Sequence, residues 1–198
     1  ILRLEFLIVL RSGSHIGLAF SFFLFFMLLF ALSSLGNNTF LSGLGLTAVW
    51  LSLLMSILLT LNKIIHEDFK SGVLDYLLIS TVPIEVTLFC KTLVHWVSVV
   101  IPLLIVTPLV LITFQISSDN VAKVVFILLL GSPSLSFVGM MISCLTLANR
   151  SSLLLTTITI PFYFPTLLLG IFCCASTNNN FIAFEYLLLY ANTLFTIV

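Results

Sequence analysis

Long uncharged apolar runs alternate along this chain with short polar interruptions, and the interruptions mark out six candidate crossings of a bilayer. The first, residues 16–35, reads IGLAFSFFLFFMLLFALSSL. About 20 apolar residues suffice to cross the hydrocarbon core, and this run is too long for a signal-peptide core and lacks its small-residue cleavage pattern, so it is expected to be retained. The turn residues GNNTF lead into a second span over 41–61. The third, 93–114, contains Pro102 and Pro108, which predict a kink whose freed carbonyls neighbouring helices must re-satisfy. QISSDN precedes the fourth span, 124–147, whose small residues in GSPSLSFVG (Gly131 to Gly139) predict close approach of another helix. ANRSS separates it from the fifth, 153–174, with Pro161 and Pro165. ASTNNN separates that from a last apolar stretch, 181–198, at the lower limit of length for a crossing.

Composition agrees with the pattern. Of 198 residues 61% are hydrophobic and only 7% charged, against roughly 25% charged in soluble domains. The chain therefore reads as an all-α integral membrane protein, one domain over 1–198, with no room for a separate soluble module. A net charge of zero gives no general attraction to nucleic acid, so only the distribution of charge is informative. With the N-terminus inside, the inner side receives Arg3, Arg11, Lys63, Lys70, Lys91 and Arg150, and the outer side only Lys123. That bias predicts both termini inside.

Seven of the fourteen formal charges fall in Lys63 to Lys91, the expected inner-side loop over 62–92. Each would cost about 2.5–3.5 kcal/mol at a helix centre, which explains avoidance of the spans but not the clustering. Within the stretch Phe69, Val73 and Leu77 recur at four-residue spacing, while Glu67, Asp68, Lys70, Ser71 and Asp75 take the other positions. This predicts a short amphipathic helix along the inner surface, with Gly72 inside it and Pro83 ending it. Its apolar face is expected to rest on the membrane domain and its acidic face to meet a soluble partner; a plain solvated helix is the competing reading.

The order HEDFKSGVLDYLL, then PIEVTLFCKTLVHWVSVVIPLLIVTPLV with Lys91, His95, Trp96, Pro102 and Pro108, then LLLGSPSLSFVG resembles the cytochrome c maturation protein B family (CcmB, haem exporter protein B). The resemblance runs from about residue 61 to 170. It implies a six-span, ABC-permease-like subunit that works with an ABC ATPase subunit, a haem-handling membrane protein and a haem chaperone. ATP and haem would be handled by those partners, with no cofactor bound by this chain. It implies an ATPase-coupling region at Glu67, Asp68, Gly72 and Asp75, and motif positions without an assigned step at Lys91, His95, Trp96, Pro102 and Pro108. It also implies a multi-pass protein of a bacterial or mitochondrial inner membrane. Asn62 stands where family members often carry Glu, and a start at Ile1 without Met together with a short C-terminus suggests clipped ends.

Other chemistry has little support in the residues. His15, His66 and His95 are dispersed, and the sequence holds no HExxH, no Gly-Lys-Ser/Thr phosphate loop and no CxxC among Cys90, Cys144, Cys173 and Cys174. Zinc, protease and ATPase functions are disfavoured accordingly. Haem ligation by His95 is a minor alternative to an interfacial anchor beside Trp96. A secondary transporter would need ionisable residues at the midplane, and an intramembrane enzyme a nucleophile, base or metal cluster. The spans show neither.

Overall fold

The computed structural model describes residues 6, 14–33, 38–79, 83–114, 116, 118–148, 152–175, 188–193 and 196. Among them every secondary-structure element is helical: α1 (Ser14–Ser33), α2 (Asn38–Lys70), α3 (Val73–Leu78), α4 (Ile84–His95), a π-helical turn (Trp96–Val100), α5 (Ile101–Thr113), α6 (Ser118–Ala148) and α7 (Ser152–Ala175). Four stretches are long and apolar enough to cross a membrane: His15–Ser33, Leu44–Lys70, Ile84–Thr113 and Asn120–Leu145. The described part of α7 contributes a shorter apolar stretch, Pro161–Cys174. The sixth expected span, 181–198, lies largely outside the described residues, with 188–193 helical.

Helix α2 is the hub, packed against α1, α5, α6, α7 and the π-helical turn. Its core residues Leu53, Ile57, Leu61 and Ile65 repeat every four positions and are fully buried, so one stripe of the helix faces its neighbours. Buried Ser52, Ser56 and Thr60 form a second stripe at the same spacing. Two of these hydroxyls bond within the helix, Ser52 Oγ donating to the Val49 carbonyl at 2.9 Å and Thr60 Oγ1 to that of Ser56 at 2.8 Å. Outward positions such as Leu28 and Leu32 on α1 and Ile105, Leu109 and Ile112 on α5 are exposed and apolar, as a lipid-facing surface requires. The small residues of α6 do admit a neighbour. A Cβ at Gly131 would stand 2.6 Å from the Trp50 ring, and one at Gly139 would stand 2.6 Å from the Tyr163 hydroxyl.

Ahead of Pro102, one of the two prolines from which a kink was expected, the helix carries a π-helical turn that ends two residues before it. Proline has no N–H to give to the Ser98 carbonyl and its ring presses on that carbonyl in α geometry; widening the turn over 96–100 relieves the clash. Pro108, Pro133, Pro161 and Pro165 sit inside helices.

The stretch 62–92 is not one loop. Helix α2 has 33 residues, about 50 Å at 1.5 Å per residue against a hydrocarbon core of about 30 Å, so its charged end continues as helix beyond the apolar segment. The following membrane helix starts at Ile84 rather than near 93. The single amphipathic helix expected around Gly72 is likewise two pieces. Gly72 has φ 73° and ψ 8° and separates the end of α2 from α3. It accepts from Tyr76 N–H at 3.2 Å, and its own N–H donates to the Phe69 carbonyl. The left-handed conformation, with open space around the Cα, explains the glycine. A side chain here would be strained, whereas a mid-helix glycine would have gained helicity on substitution. Pro83 does not end α3, which stops at Leu78; it caps the start of α4. Finally, Phe69 and Val73 are exposed, Leu77 only half-buried. The apolar side expected to rest on the bundle therefore faces outward at these positions.

Candidate functional site

At the charged end, the end of α2 meets the start of α1 and the second half of α4. Lys63 and Glu67 are one turn apart on α2, with Nζ 3.9 Å from Oε1. Glu67 Oε2 also lies 3.2 Å from His15 Nε2 of α1. The next residue, Asp68, points to α4, and its Oδ2 lies 3.1 Å from Lys91 Nζ. Burial separates these pairs: Glu67 is 54% exposed, whereas Lys91 and Asp68 are only 8% and 19% exposed. The first is a surface pair worth at most about 1 kcal/mol, while the second is shielded from solvent and salt.

One turn beyond Lys91 on α4, His95 reaches Thr60 of α2, Nε2 to Oγ1 being 2.8 Å. Thr60 Oγ1 also lies within donating distance of the Ser56 and Ile57 carbonyls, so this one hydroxyl links α4 to the backbone of α2. Asp68 pairs with Lys91 and Thr60 with His95, so α2 and α4 run antiparallel and are tied by two polar rungs. Trp96 adds a tie to α6, its Nε1 donating to Ser132 Oγ at 2.9 Å. At the opposite end the contacts are apolar. Phe114 stacks at a tilt on Phe30 with centroids 5.5 Å apart and fills the space above Gly45.

The expected site residues fall at the following places. Asp68 belongs to an internal ion pair and not to an outward acidic face, and Glu67 is shared between solvent and His15. Gly72 supplies the left-handed break. Asp75 lies on α3, and its side chain is outside the described residues. Lys91 and His95 are buried beside α2, Trp96 begins the π-helical turn, and Pro102 and Pro108 lie on α5. His95 is 1% exposed, with Nε2 facing Thr60 Oγ1. No group of three or more metal-ligating side chains occurs among the described residues. Sequence reasoning missed His15 and Thr60. The four-residue repeat of Ser52, Ser56 and Thr60 was the available signal for the latter.

What remains outward is the turn itself. Phe69, Val73, Tyr76 and Ile79 are exposed, the last two by 72% and 81%, around the Gly72 break and just beyond the charged helix ends.

The sequence matches the CcmB protein family along residues 1–198. It is 32% identical over 164 residues to the Heme exporter protein B of Rhodobacter capsulatus, covering 82% of this chain and 75% of that protein. It is 33% identical over 161 residues to that of Paracoccus denitrificans (81% and 74%). With that of Bradyrhizobium diazoefficiens it shares 30% over 172 residues (86% and 78%).

Proposed function

This chain belongs to the CcmB family, and on that premise we propose that it is the permease-type membrane subunit of an ABC transporter complex for cytochrome c maturation. It couples a partner ATPase to haem delivery or to release of a haem-loaded chaperone. The subunit is non-catalytic: its sequence has no phosphate loop, so nucleotide chemistry falls to the ATPase. Haem falls to the haem-handling membrane protein and the chaperone. Family membership also disfavours the secondary-transporter alternative.

The observation that carries the coupling role is the exposed apolar turn around Gly72, with the ion pairs of Glu67 and Asp68 behind it. Tyr76 and Ile79 are large side chains exposed at the end where charged residues gather, and tyrosine is among the side chains that carry most of the energy of protein interfaces. Changing Tyr76→Asp and Ile79→Asp together is expected to lower ATPase co-purification by about tenfold or more, since buried anchors are worth at least 1.4 kcal/mol each when truncated. Membrane levels should not change, because neither side chain packs in the bundle. Undiminished co-purification would move the docking surface elsewhere. Failure of any ATPase to co-purify with the unsubstituted chain would overturn the assignment itself.

Location in an inner membrane, with both termini inside, is part of the same reading and is supported by the six-to-one distribution of Lys and Arg. Ser71 is exposed at the turn. A cysteine introduced there should react with an impermeant thiol reagent only from the inner side. Reaction from the outer side would invert the arrangement.

A further inference from the structure

We propose that Asp68 and Lys91 are positioning residues which make α2 and α4 move as one lever, so that displacement of the docking turn reaches the membrane segment through their ion pair. This rests on the coupling function proposed above and departs from an acidic knob gripped by the ATPase, because the Asp68 carboxylate faces Lys91 at 3.1 Å and is mostly buried.

Asp68 is four residues from the left-handed Gly72 and therefore one turn behind the docking surface. Its partner Lys91 sits one turn from His95, which bonds Thr60. The next residue, Trp96, opens the π-helical turn and bonds Ser132 of α6. A push on the turn is thus passed from α2 to α4 at Asp68 and Lys91, and from α4 to α6 at Trp96. A π-helical turn has non-α hydrogen bonding, a local feature that often marks functional positions in helices. Transmission, folding and docking are separated by reading cytochrome c yield, membrane level and ATPase co-purification side by side.

The experiment uses the assembled complex in cells. The first variant combines Asp68→Asn with Lys91→Met, which removes the pair without leaving an unpaired buried charge. It is expected to reach normal membrane levels and to co-purify with the ATPase undiminished, while cytochrome c yield falls by about tenfold or more, the size of a typical coupling between sites. The second variant exchanges the charges, Asp68→Lys with Lys91→Asp, and is expected to recover most of the yield that Asp68→Lys alone loses. Full yield from the neutral pair would show that the ion pair transmits nothing. Loss of ATPase co-purification in the neutral pair would return Asp68 to direct docking and overturn the proposal. Absence of the ATPase from the unsubstituted complex would instead strike the underlying functional reading.

Discussion

Replacing Lys91 alone with methionine should destabilise the chain by about 3–5 kcal/mol, the usual cost of stripping one partner from a buried ion pair. The apolar stem of methionine fills much of the lysine's volume, so the loss comes from Asp68, left mostly buried beside α4 without its cation. Lys63→Met is the matched control. Its ammonium lies 3.9 Å from Glu67, and the lysine side chain is 34% exposed, so water replaces what is lost and the change should stay within about 1 kcal/mol. Both lysines occupy the charged end and both substitutions remove one positive charge, which cancels any general effect of charge on insertion. The measurement is the fraction of chain that stays monodisperse after heating in detergent. Equal survival of the two variants would mean that Asp68 is hydrated and that the α2–α4 tie is weak.

Periodicity and composition were enough to read an all-helical membrane protein, four of whose helices are long and apolar enough to cross a bilayer among the described residues, because lipid leaves the backbone little choice but helix and demands long apolar runs. The charged end was less legible, for a reason visible in Asp68. Periodicity within one segment separates apolar from polar positions, and a carboxylate is assigned to solvent by default. Its partner Lys91 lies on a different helix, and pairing between helices leaves no local trace. The same holds for His15 and Glu67. Gly72 is a different kind of error. Lys70 followed by Ser71 and Gly72 is a good helix-ending signal, a cation in the last turn and then a residue free to adopt positive φ. The apolar repeat through Phe69, Val73 and Leu77 outweighed it, although that repeat crosses the break and its first two residues are exposed. A kink was expected from Pro102 and Pro108, and what the structure shows is a π-helical turn over 96–100. A π-helical turn and a bend are alternative ways to clear the same clash, and the sequence does not choose between them.

Gly170→Leu should all but abolish accumulation of folded chain, because the space a side chain would need is already filled by Trp50. A Cβ alone would stand 2.3 Å from Trp50 Cζ2, and the ring is fully buried. It cannot swing aside, because on α6 a Cβ at Gly131 would stand only 2.6 Å from Cη2 of the same ring. The indole of α2 is thus wedged between two glycines on separate helices. Overpacking a close-packed core by single methylenes costs about 1–3 kcal/mol, and a whole isobutyl group against a held indole exceeds that range. Gly17→Leu is the comparison: nothing lies within 4 Å of a Cβ there, and within α1 the exchange should gain up to about 1 kcal/mol of helix propensity. Adding Trp50→Ala to Gly170→Leu trades one volume for the other and should recover part of the loss, a non-additivity expected only of residues in contact. Yield of monodisperse chain from solubilised membranes reads all three. If Gly170→Leu matched Gly17→Leu, or if Trp50→Ala deepened the loss instead of relieving it, Trp50 would not be the wedge that sets the spacing of α2, α6 and α7.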